Sequence, residues 1–103
     1  MQIRVGQGSR MFGRVLIRMR EKIRTRQYVM TLHAEEEMDD DELSIFDVER
    51  GVLTGEIVER QQDRATGEYK YLAKGETVAG DPVIIVAKLS VTGKLVIITV
   101  YRA

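Results

Sequence analysis

The chain contains no cysteine, one histidine and one proline in 103 residues. Without cysteine, disulfide frameworks, thiolate zinc sites and cysteine nucleophiles are excluded, and a lone histidine cannot build a multi-histidine metal cage. A chain free of thiols is compatible with a reducing compartment. No apolar run approaches the roughly 18 residues that span a bilayer, and the opening MQIRVGQGSRMFGRVL lacks the apolar stretch of a signal peptide. A soluble, cytoplasmic protein with no membrane partner is the expectation. Serine is scarce too: Ser9, Ser44 and Ser90 are the only ones, and none sits in a G-x-S-x-G turn. Gly6-Gln7-Gly8 follows no strand, so a dinucleotide loop is not expected, and no cofactor is implied.

What is present is a segregated charge pattern. The formal net charge is zero, yet residues 1–30 carry +7, residues 31–60 carry −9 and residues 61–103 carry +2. Seven of the sixteen acids fall between Glu35 and Glu42, directly after the only histidine, His33. Such blocks read either as solvated faces or as surfaces for partners of opposite charge, nucleic acid for the basic one.

The length and a 44% hydrophobic content fit one small domain with a modest core. Residues 1–9, with two glycines and no periodicity, read as a flexible leader. From about 10 to 26 the pattern is helical: Phe12, Val15 or Leu16, Met19 and Ile23 recur at three to four residues, with Arg14, Arg18, Lys22 and Arg26 along another side. Tyr28 to Leu32 forms a short apolar bridge. Thr31 is an N-cap for a helix over about 32–40 with Ala34 and Met38 inward, and Ser44 caps another over about 44–53, ended by Thr54 and Gly55. The period then switches to strands over 56–62, 68–74, 83–91 and 94–102, with turns at the DRATGE stretch, Gly80-Asp81-Pro82 and Thr92-Gly93. The expectation is an α+β domain with N-terminal helices packed on an antiparallel sheet of about four strands.

His33, Glu36, Glu37 and Asp40 share helical spacing, yet the zincin pattern needs a histidine where Glu37 stands. Asp39-Asp40-Asp41 lacks the alternating ligands and glycine of a calcium loop. No metal is expected, and the acids read as a hydrated helix face. What is left, one histidine, tyrosines and scattered cations, suits metal-free RNA cleavage. RNA carries its own nucleophile, the 2′-hydroxyl, so a protein needs a base, an acid and cations for the phosphate. Strict alternation puts Leu95, Ile97, Thr99 and Tyr101 on one strand face and Val96, Ile98, Val100 and Arg102 on the other. Thr99 and Tyr101 can then act together, with His33 as their acid or base partner.

The segments YVMTLHAEEEM (28–38), LSIFDVERGVLTGEIVERQQDRATGEYKYLAKG (43–75), VIIVAKL (83–89) and LVIITVYRA (95–103) resemble the bacterial family catalogued as domain of unknown function 4258. The resemblance covers roughly residues 15–103 and makes residues 10–103 a single domain of this kind. It rests on a histidine-alanine pair opening a helix, an aspartate-valine-glutamate stretch in the next helix and a final strand ending in threonine-valine-tyrosine. The family is similar to RelE-like and barnase-like toxins, often encoded beside a small zinc-finger antitoxin. That resemblance implies a RelE-like fold and a metal-independent endoribonuclease toxin, with RNA as substrate and a small zinc-finger or DNA-binding antitoxin as partner. The catalytic positions would be His33, Thr99 and Tyr101. Arg64, Lys70 and Lys88, chosen by charge in the strand region, and Arg14 and Arg18 on the first helix are the expected phosphate contacts. Many members carry arginine four residues after the histidine, where this chain has Glu37. A carboxylate there repels phosphate, so the cation must come from elsewhere. The alternative to an enzyme is a non-catalytic module that binds nucleic acid or a partner protein through its segregated helices, and a homodimer pairing basic with acidic helices is a third reading.

Overall fold

A computed structural model describes residues 12–103; the leader expected over 1–9 and the first two positions of the expected first helix lie outside them. The described elements are α1 (Gly13–Arg24), β1 (Tyr28–Met30), α2 (Leu32–Asp40), α3 (Ile45–Thr54), β2 (Glu56–Gln62), β3 (Tyr69–Glu76), β4 (Pro82–Leu89) and β5 (Leu95–Arg102). The protein is α+β, as its pattern indicates.

Each helix forms where local chemistry supports it. In α1, Met19 and Ile23 are one turn apart and buried, while Phe12, Val15 and Leu16 pack at the edge of the core. α2 starts at Thr31, whose side chain accepts a hydrogen bond from the Ala34 N–H at 3.1 Å. It buries Ala34 and Met38. α3 opens on a reciprocal capping box: Ser44 Oγ accepts from the Asp47 N–H, and Asp47 Oδ2 accepts from the Ser44 N–H at 2.8 Å. The backbone N–H of Ser44 holds the Asp47 carboxyl below the usual carboxylate range, and the N–H of Val78 adds to this through Oδ1. At the other end of α3, Arg20 from α1 donates to the Gly55 carbonyl at 2.8 Å, giving a helix C-terminus the cation it favours.

The strands form one sheet in the order β1-β5-β4-β3-β2. β2 to β5 are the expected antiparallel meander, and β1 adds a fifth strand parallel to β5, pairing Tyr28–Met30 with Leu95–Ile97. Three residues are too few to show a period, which is why this stretch reads as a bridge in the sequence. One sheet face carries Ile57, Ala73, Val83, Ile85, Ala87, Leu95, Ile97 and Val100 into the core against the three helices. Residue size sets how closely α3 approaches β3: a Cβ on Gly75 would collide with the carbonyl of Gly51.

The register corrects one expectation. Val86 faces Thr99 and Ala87 faces Ile97, so Ile98 is an extra residue, a β-bulge in β5. The bulge shifts the alternation, so Leu95, Ile97 and then Val100 point into the core. Thr99 and Tyr101 do share a face, but it is the opposite one from Leu95 and Ile97, across from Val86 and Ile84 on the side of the sheet away from the helices.

Candidate functional site at the β5 edge and the open sheet face

β1 covers the outer edge of β5 only as far as Ile97. Beyond it, α2 takes the place of a neighbouring strand. The Thr31 N–H donates to the Ile97 carbonyl at 3.0 Å and Thr31 Oγ1 donates to the Ile98 carbonyl at 3.1 Å, pinning the start of α2 to the bulge. Farther along, the N–H of Val100 donates to Glu37 Oε1 at 3.0 Å and that of Arg102 to Asp41 Oδ2 at 2.9 Å. Geometry allows this match: four helical residues rise about 6 Å, and two strand residues span about 7 Å. Carboxylates four apart on a helix flank can therefore meet successive outward amides of a strand. An edge that would otherwise invite another strand is satisfied by side chains.

His33 lies on the same flank as Glu37 and Asp41. Its side chain is 64% exposed, and Nε2 is 3.3 Å from Glu37 Oε1, the oxygen that also holds the Val100 amide. One carboxylate thus stands between the imidazole and the backbone amide that separates Thr99 from Tyr101, and Nδ1 has no partner among the described residues. Thr99 is half-buried and Tyr101 is 38% exposed. His33 meets β5 only through Glu37, at the amide that lies between Thr99 and Tyr101, whose own side chains face the open side of the sheet. Glu37, which stands where many members of the resembled family carry arginine, accepts the Val100 amide of β5 and lies beside the imidazole.

The open sheet face carries a groove of about 330 Å³, floored by Val96 and Ile98 and flanked by Thr31, Lys70 and Lys88, with Asp63, Glu68 and Tyr69 at its far end. Lys88 Nζ is 2.9 Å from Glu68 Oε1, so a phosphate must compete with that carboxylate, whereas Lys70 has no ionic partner among the described residues. Arg64 sits in the β2–β3 turn, between the two acids that line the groove, but does not line it itself. Arg14 and Arg18 are exposed on α1. Arg18 lines a separate groove with Val15, Tyr71 and Leu89 on the helix side, and that groove shares Glu68 and Tyr69 with the lysine-flanked one. Thr31, legible as a helix cap, has a second role here that the sequence does not signal, because its strand partner lies 67 residues away.

The lysine-flanked groove is lined by none of His33, Thr99 and Tyr101: Lys88 stands opposite Val96, whereas Tyr101 stands opposite Ile84, four residues away along β4. Among the described residues, no group of three or more His, Asp or Glu is placed to hold a metal ion, and no helix is long and apolar enough to cross a membrane. Comparison with curated proteins and with solved structures gives no match. The family comparison does: a family model matches residues 30–102, from the last residue of β1 to the last residue of β5. The histidine-bearing helix, the capped helix after it and the bulged final strand all fall within that match, and the chain belongs to the family described as Domain of unknown function (DUF4258).

Proposed function

We propose that this protein is a metal-independent endoribonuclease, the toxin of a bacterial toxin–antitoxin pair. The observation that supports the reading is that Glu37 links His33 to β5 at the amide between Thr99 and Tyr101, with the lysine-flanked groove farther along the same strand. RNA lies along the open sheet face with a phosphate against Thr99. His33, oriented through Nε2 by Glu37, takes the 2′-hydroxyl proton on Nδ1. The freed oxygen attacks phosphorus, the bond to the 5′-oxygen breaks, and the Tyr101 phenol gives its proton to that leaving oxygen. Lys70 and Lys88 hold neighbouring phosphates. The toxin role and a small zinc-finger or DNA-binding antitoxin as partner follow from the resemblance to RelE-like and barnase-like toxins.

The test is purified protein with single-stranded RNA in the presence of a chelator. His33→Ala and Tyr101→Phe are each expected to slow cleavage at least about a hundredfold, the usual worth of a positioned proton donor or acceptor. Cleavage that survives both changes removes these roles. RNA that is bound through Lys70 and Lys88 but stays intact favours the non-catalytic binding module instead.

A further inference from the structure

Among the described residues, the helix layer presents a basic stripe on α1 and an acidic groove beside α2. On α1 the exposed positions Arg14, Ile17, Arg18 and Arg24 form one stripe, with Glu21 the acid among them. None of the three arginines makes an ion pair with a described residue. Ile17, in the midst of them, is 66% exposed. A groove of about 420 Å³ lies between β1, α2 and the start of α3, with Met30, Leu32 and Ile45 as apolar lining and Glu35, Glu36 and Asp39 as its acids. Leu32 is 71% exposed, and the three acids also make no ion pair with a described residue.

We propose that this groove receives α1 of a second copy of the chain, with Ile17 against Leu32 and Ile45 and the arginines against Glu35, Glu36 and Asp39. Each surface supplies what the other lacks: an apolar side chain amid cations, and an apolar groove amid acids. This is the helix-in-groove mode of recognition with complementary charge setting the partner. Nucleic acid on α1 fits less well, since Ile17 and Glu21 gain nothing from a phosphate backbone and the acidic groove would stay uncovered. The groove belongs to the part of the chain that matches the family, whereas α1 precedes it. The inference is independent of RNA cleavage, because it uses none of those residues.

Sedimentation velocity on the full chain tests it. The wild type is expected to associate reversibly at tens of micromolar, and less strongly as salt rises. Arg14→Glu with Arg18→Glu and Arg24→Glu makes one variant; Glu35→Arg with Glu36→Arg and Asp39→Arg makes the other. Each alone is expected to associate at least about tenfold more weakly, since like charges then face one another. Mixed together, the two are expected to associate with each other, because the reversed helix of one now complements the reversed groove of the other. All six positions are exposed, and circular dichroism verifies that both variants fold. A wild type that stays monomeric, or a mixture that does, overturns the proposal. So does a wild type whose association is unchanged by the arginine reversals while its binding to polyuridylate is lost.

Discussion

Glu37 shows how much one side chain can settle. Its oxygen accepts the Val100 N–H and contacts His33, so its removal both frees the imidazole and leaves a half-buried strand amide without a partner. Glu37→Ala and Glu37→Arg are each expected to cost about 1–3 kcal/mol, the penalty of an unsatisfied donor, while Glu37→Gln keeps an acceptor and loses less. Urea denaturation midpoints check the ranking. The spacing of His33 and Glu37 is legible in the sequence; the Val100 amide is not, because a backbone donor leaves no mark on residue identity. Tyr28 offers a second residue-scale test. Burial, with a hydrogen bond from its hydroxyl to Glu49 on α3, pushes its phenol from 10.0 up to about 12. The folded state thus holds this proton more tightly than the unfolded one. The corresponding stability is present below pH 10.0 and is lost as pH rises towards about 12. Tyr28→Phe is expected to flatten that part of the stability profile, and unfolding midpoints measured across the alkaline range read it directly.

At the scale of elements, α3 approaches β3 in close backbone contact where Gly51 meets Gly75. A Cβ on Gly75 meets the carbonyl, carbon and Cα of Gly51, none of which can rotate away, whereas a Cβ on Gly13 meets nothing. Gly75→Ala is expected to destabilise the fold by about 1–3 kcal/mol or more through overpacking. Gly13→Ala is expected to be neutral or to stabilise by up to about 1 kcal/mol, from helix propensity alone. Thermal unfolding of the two variants separates them. The helices are legible because Thr31 and Ser44 announce their starts and the apolar positions recur at the helical period. β1 is hidden by its three residues. The β5 bulge is hidden because LVIITVY, apolar at most positions, alternates no better with the extra residue than without it, and only pairing with β4 exposes the shift. That shift decides the candidate site, since it carries Thr99 and Tyr101 to the open face rather than into the core.

Over the whole molecule, a formal charge of zero hides charged surfaces of both signs. The open face carries Lys70, Lys88 and the Thr99–Tyr101 strand, on which the proposed cleavage rests, and the helix layer carries the basic stripe and the acidic groove of the proposed self-association. The sequence reveals the charge blocks but not that Arg18 lines a groove separate from the one flanked by Lys70 and Lys88, which depends on which face each element buries. Nor does it reveal that two of the clustered acids, Glu37 and Asp41, are occupied at the β5 edge. The central claim is that His33 and Tyr101 move protons on a phosphodiester attacked by its own 2′-hydroxyl, and the chemistry of the cut ends tests it most directly. Mass spectrometry of RNA incubated with the protein and a chelator is expected to show 2′,3′-cyclic phosphate and 5′-hydroxyl ends, both absent with His33→Ala. Intact RNA, or 5′-phosphate and 3′-hydroxyl ends, would contradict it.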